Sequence, residues 1–132
     1  MTTLKDIQQA VAAANLAVTE KGYSKPNCEA QFAGFDERVW VHVKATNPEA
    51  ASHVIGLDIR DYFSGDSFEE ALADAMTFIG NLPDPLEHKR QDAVKSLGIT
   101  IDKCRDAGFE VDFLNPLTEA MRKLSENILV AA

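Results

Sequence analysis

The 132-residue sequence holds no apolar run near the roughly 20 residues that a bilayer-spanning helix needs, so no membrane segment is expected. Its start has no charged-then-apolar signal pattern, and nothing in it indicates export. Cysteine is scarce: Cys28 and Cys104 lie far apart, each on an apolar face. They read as free, buried thiols in a reducing, cytoplasmic setting. The three histidines, His42, His53 and His88, are not spaced with one another, with cysteine or with carboxylates as metal ligands are, so no metal site is expected. No glycine-rich loop precedes a helix, which removes the usual phosphate cradle, and no cofactor is expected. Buried cysteines argue against a Cys–His nucleophile. Asp58 and Asp61 do not share a strand face and form no carboxylate dyad. The sequence thus carries no catalytic residue or motif, and the expectation is a protein that is not an enzyme.

Positive charge is also in short supply. Thirteen Lys and Arg face 21 Asp and Glu, a net charge of −8, which gives no general attraction for nucleic acid or anionic lipid. Residues 63–83 contain Asp66, Glu69, Glu70 and Asp74 and no Lys or Arg. Apolar residues make up 45% of the chain, enough for an ordinary globular core.

What the sequence does contain is a strand pattern over residues 28–62, around which the remaining elements arrange. In residues 39–45 the odd positions Val39, Val41, Val43 and Ala45 are apolar, and Arg38, Trp40, His42 and Lys44 alternate with them. That period of two marks a strand with one buried face. Residues 53–62 repeat it, with Ile55, Leu57 and Ile59 on one side and Val54, Gly56, Asp58, Arg60 and Tyr62 on the other. Residues 28–35 form a weaker strand with Cys28, Ala30 and Phe32 on its apolar side. Asp36 and Glu37 supply one turn, and residues 46–52 with Pro48 the next. Connections this short predict an antiparallel meander, with Phe32, Val41 and Leu57 turned toward Val11 and Leu72.

Helices flank the sheet. Residues 3–21 carry a stripe of Leu4, Ile7, Val11, Ala14 and Val18, with Thr3 as cap, Asp6 in the first turn and Leu16 off the stripe. Residues 23–27, with Pro26, read as a loop into the sheet. Ser64, Gly65, Asp66 and Ser67 break the chain, and Ser67 with Glu70 fits a capping box. Phe68, Ala71, Leu72, Ala75, Met76 and Ile79 then form an apolar face that belongs on the sheet beside the first helix. Asp84 and Pro85 open a third helix to about Ala107, where Gly108 stops it. Its apolar positions are Leu86, Ala93, Val94, Leu97, Ile101 and Cys104. Residues 108–114 alternate Phe109, Val111 and Phe113 with Glu110 and Asp112, which reads as a short strand or an apolar loop. Asn115 and Pro116 start the last helix, whose Leu117, Met121, Leu124 and Ile128 match a paired-helix seam.

The predicted fold class is therefore α+β: a three-stranded antiparallel sheet with the N-terminal and the following helix on one face (α-β-β-β-α), plus a C-terminal α-hairpin. Residues 1–132 are read as a single domain, with a core over 1–82 and a helical hairpin over 83–132 that serves as an oligomerisation element. The order of elements through residue 82 resembles that of the double-stranded-RNA-binding domain. That family opens its second helix with a lysine-rich stretch that grips phosphate. Phe68, Glu69, Glu70 and Ala71 stand there in this chain, so RNA binding is not carried over.

Two functional readings remain. The first is a small non-catalytic protein that acts through self-association and protein–protein contact, most simply as a homodimer, with the possibility of a further protein partner. Ile99, Leu129 and Val130 lie off the two helical seams and form its expected interface. The second is a ligand- or nucleic-acid-binding module on the polar sheet face, using Arg38, Trp40, His42, Lys44, Arg60 and Tyr62, where cations stand beside aromatic rings. The competing arrangement folds the C-terminal helices over Trp40 and Tyr62 and leaves a monomer. The acidic balance predicts that neither duplex nor single-stranded nucleic acid is retarded in a gel shift at sub-micromolar protein and physiological salt; a sub-micromolar complex would refute the charge argument.

Overall fold

The structure, a computed structural model, describes residues 2–32, 38–50 and 56–131, and the side chains through Ile128. Its elements in order are α1 (Leu4–Glu20), β1 (Ser24–Phe32), β2 (Val39–Thr46), β3 (Ile59–Gly65), α2 (Phe68–Gly80), α3 (Pro85–Asp106) and α4 (Val111–Ala131). They form two compact units, Met1–Pro85 and Leu86–Ala132.

In the first unit β2 lies between β1 and β3, antiparallel to both. Val39, Val41, Val43 and Ala45 are buried on one face of β2 and alternate with half-buried Trp40, His42, Lys44 and Thr46. α1 packs on β1, α2 packs on β2 and β3, and the two helices lie beside each other. Ala14, Val18, Ala71, Ala75 and Ile79 close the core against the β2 valines, with Ile7, Val11 and Leu72 at its margin. Alanines at the contact let the two helices sit close to the strands, and the apolar area removed from water stabilises the unit at roughly 25 cal/mol per Å². The α-β-β-β-α order and the C-terminal hairpin are those that the periodicities predict.

Both caps can be followed atom by atom. Thr3 Oγ1 accepts from the Asp6 N–H at 3.1 Å and Asp6 Oδ2 accepts from the Thr3 N–H at 2.9 Å, a complete capping box. Ser67 Oγ accepts from the Glu70 N–H at 3.2 Å, but the Glu70 carboxylate reaches one residue further and accepts from the Asp66 N–H at 3.0 Å. Asn15 Oδ1 accepts from the Cys28 N–H at 2.8 Å and ties α1 to β1.

Several expectations are corrected. β1 begins at Ser24 and not at Cys28, because a bulge between Ser24 and Asn27 absorbs Pro26, which has no N–H to give the ladder. Phe32 pairs with Val39 and so shares the core face, but it is 61% exposed and not buried, because it is the last residue of β1, four positions beyond the Asn15–Cys28 tie. β3 runs over Ile59–Gly65, later than expected, because Asp58 is drawn into the preceding loop, where Oδ1 accepts from the Asn47 N–H at 3.0 Å. Ser64 and Gly65 pair with Trp40 and Val39 and so continue the strand. Leu57 is buried yet stands outside the sheet's core cluster. Met76 is exposed, and Cys104 is half-buried, whereas Cys28 is buried. Residues 33–37 and 51–55, which include the expected strand positions Val54 and Ile55, lie outside the described residues.

The connector after α2 is held by three side chains. Lys21 Nζ donates to the Gly80 carbonyl at 2.8 Å, Tyr23 Oη to that of Pro83 at 2.9 Å, and Asn47 Nδ2 to that of Pro85 at 3.1 Å. Tyr23 and Asn47 are both buried, so their donors are satisfied at that connector and not by water.

In the second unit α3 ends in a Schellman turn. Gly108, at φ +88°, gives its N–H to the Arg105 carbonyl at 3.1 Å, and the Phe109 N–H reaches that of Cys104 at 3.2 Å. The turn is so short that α4 starts at Val111. The expected strand or loop over residues 108–114 is therefore mostly helix, and Pro116 lies inside α4 and not at its start. The apolar alternation of Phe109, Val111 and Phe113 does not mark a buried face, because all three are exposed, while Leu114 between them is buried. Leu114 extends the seam of Leu117, Met121, Leu124 and Ile128 by one step of three. A Cβ at Gly98 would stand 3.2 Å from the Met121 sulfur, which shows α3 and α4 facing each other as a hairpin.

Burial, with the Asp84 carboxylate second, pushes the Tyr23 phenol from its ordinary 10.0 up to about 12. The fold holds the neutral phenol, so the contribution of Tyr23 is fully present below about pH 10 and is lost as pH rises through about 12. Urea unfolding of Tyr23→Phe at neutral pH is expected to show a loss of about 1 kcal/mol. That difference from the wild type should vanish between pH 10 and pH 12, and a constant difference would mean that the hydroxyl is not held as described.

Candidate functional site

The outer face of the sheet gathers most of the polar residues singled out in the sequence. β-pairing sets them in three cross-strand rows. Gln31, Trp40 and Ser64 make one, Glu29, His42 and Tyr62 the next, and Asn27, Lys44 and Arg60 the third. Because side chains alternate along a strand, the burial of Val39, Val41 and Val43 on one face forces Trp40, His42 and Lys44 onto the other.

His42 and Tyr62 meet edge to face, with ring centroids 4.5 Å apart and planes at 86°. Such a pair contributes about 1 kcal/mol beyond its area, and here it holds a ring that is otherwise 55% exposed. His42 Nδ1 is buried and has no hydrogen-bond partner among the described residues. Arg38 precedes β2 and belongs to a different group. Its Nη2 donates to Ser64 Oγ at 3.3 Å, and its Nη1 lies 3.7 Å from the Asp66 carboxylate, so it ties the end of β3 to the start of α2. Exposed as both charges are, that ion pair contributes little.

The third row borders a recess of about 390 Å³ at the end of the sheet where β1 begins and β2 ends. Lys44 and Arg60 line it, together with Lys25, Asn27, Thr46 and Tyr62. Lys44 stands directly opposite Arg60, and neither forms an ion pair among the described residues. Like charges in that position destabilise a sheet. Lys25 enters from the bulge, with a backbone φ of +50° that non-glycine residues seldom adopt. Asp58 also lines the recess, but its Oδ1 is committed to the Asn47 N–H. Lys25, Asn27, Thr46 and Asp58 were not legible as site residues, because a bulge and a strand register join them. Pro26 after Lys25 was the one local sign that the strand is interrupted there.

The second unit carries the other candidate surface. Ile99 is exposed on α3, and the Leu129 and Val130 side chains lie outside the described residues. Within the α4 seam, Leu117 is 39% and Leu124 47% exposed. α3 and α4 leave a groove of about 460 Å³ between them, bordered by Ala93, Val94, Leu124 and Ile128, with Arg90 and Asn127 at its rim. On the outer side of α4, Arg122 pairs with Glu119 and Glu126.

No group of three or more His, Cys, Asp or Glu among the described residues is placed to hold a metal ion. None of the described helices is long and apolar enough to cross a membrane. Comparison with protein-family models, curated proteins and solved structures finds no match.

Replacing Lys44 by Glu converts the repulsive cross-strand pair with Arg60 into an attractive one. Lys44→Glu is expected to gain about 0.5 kcal/mol in urea unfolding at low salt, and the gain should shrink at high salt. A loss of stability at low salt would mean that the two cations do not face each other.

Proposed function

We propose that this protein acts through self-association, as a homodimer built by its C-terminal hairpin, and has no catalytic role of its own. The observation that carries the reading is the exposure of Leu117 and Leu124 within the α4 seam. Seam residues at spacings of three and four are placed to be covered by a facing helix. The seam is closed at Leu114, near the hairpin turn, and α3 meets it at Gly98 and Met121, but the groove beside Leu124 and Ile128 stays open. A two-helix hairpin has too little interior to bury both of its seams, whereas two hairpins together make a four-helix bundle with one shared core.

A second copy of the chain suits this surface better than an unrelated protein. A two-fold axis lets one self-complementary stripe cover itself on both copies. A stable interface takes about 800 Å² from each partner; exposed Leu117 and Leu124, with the groove residues, supply its apolar centre, and exposed Ile99 on α3 adds to it. The Arg122 cluster on the outer side of α4 remains in water as a polar rim.

Light scattering at micromolar concentration is expected to give twice the single-chain mass of 14.5 kDa. Leu124→Glu should return the mass to that of one chain while the helical circular-dichroism signal stays, because a charge at an exposed seam position penalises only the pairing. A wild-type mass near 14.5 kDa would refute the proposal. A Leu124→Glu dimer would move the interface off the seam.

A further inference from the structure

The basic recess on the outer sheet face is not accounted for by self-association. We propose that it is a binding site for a small phosphorylated molecule, with Lys25, Lys44 and Arg60 taking the phosphate and Tyr62 flanking the organic body.

The placement of the cations is the first ground. Lys44 and Arg60 are directly opposed across β2 and β3, and the chain tolerates that repulsion without an ion-paired carboxylate for either among the described residues. Acidic residues are abundant in the chain, 21 in all, so a local excess of cations is not a matter of composition. A bound dianion would turn the repulsion into attraction. The second ground is backbone strain at the same place. Lys25 adopts φ +50° inside the bulge and lines the recess. Residues held in that region store strain on the order of 1–3 kcal/mol, and such strain gathers at ligand sites. The third is size: about 390 Å³ falls within the range of small-molecule sites. It exceeds what inorganic phosphate alone would occupy.

Phosphate fits this donor set better than a carboxylate does. A guanidinium offers a planar fork and each ammonium three donors, a donor set that suits the three terminal oxygens of a phosphate group better than the two of a carboxylate. Asn27 and Thr46, which also line the recess, add uncharged hydrogen-bonding groups, and the Asp58 carboxylate at its border has Oδ1 taken by the Asn47 N–H. The Tyr62 ring, steadied by His42, presents an apolar edge to the rest of the ligand. A nucleic-acid polymer is disfavoured by the same electrostatics. A small ligand meets only the charges within about one Debye length, ~8 Å at physiological salt, whereas a polymer also meets the rest of a chain of net charge −8.

Inorganic pyrophosphate and adenosine diphosphate serve as probes of the site, without and with an organic body. Isothermal titration with the wild-type protein at physiological ionic strength is expected to give saturable binding of both, with adenosine diphosphate the tighter. Arg60→Gln and Lys44→Gln should each weaken it about tenfold or more, the loss of one charge-assisted contact. Both variants should melt no lower than the wild type without ligand, because each also removes the like-charge pair, so weaker binding cannot be put down to unfolding. The Leu124→Glu variant should bind as the wild type does, which separates this site from the association surface. Absence of saturable binding by both probes would overturn the proposal. So would equal affinity in Arg60→Gln, or an oligonucleotide that binds more tightly than either probe.

Discussion

The first unit depends on the burial of one face of β2. Val39, Val41, Val43 and Ala45 belong to the strand that pairs with both others, and they share one buried cluster with Ala14 of α1 and Ala71 and Ala75 of α2. A slip of one residue would put Trp40, His42 and Lys44 into the core and the valines into water, so the register is strongly determined. Everything on the outer face inherits its position from that constraint. The edge-to-face contact of His42 with Tyr62, and the opposition of Lys44 and Arg60, are consequences of which face the valines take.

The same unit also ties down its own last residues. Lys21, Tyr23 and Asn47 come from the end of α1, the start of β1 and the end of β2, and they bind carbonyls at Gly80, Pro83 and Pro85. A connector with two prolines has few N–H groups of its own, and its carbonyls need donors when they are drawn into the structure. Tyr23 and Asn47 meet that need while being nearly fully buried themselves.

The two candidate surfaces rest on different physics. On the hairpin the signal is apolar area in contact with water at positions whose spacing suits a partner helix, as at Leu117 and Leu124. On the sheet the signal is electrostatic, a set of cations held together at a cost in an otherwise acidic chain. Neither feature helps the isolated chain to fold. Local departures from what stability alone would select are where function is looked for.

The sequence by itself determined the element order, the buried face of β2, the Thr3 cap, the Pro85 start of α3 and the Gly108 stop, because each depends on residues within a few positions of one another. It also identified Trp40, His42, Lys44, Arg60 and Tyr62 as companions on one face, since strand alternation is a local rule. The bounds of β1 and β3 were decided by pairing: a bulge admitted Pro26, and Val39 drew Gly65 into the ladder. The short Schellman turn made residues 111–114 helical, against a period of two in Phe109, Val111 and Phe113 that looked like a strand. Only the tertiary structure brought Lys25 and Asn27 beside Arg60, because residues more than 30 apart meet through two strand pairings whose register no local pattern encodes.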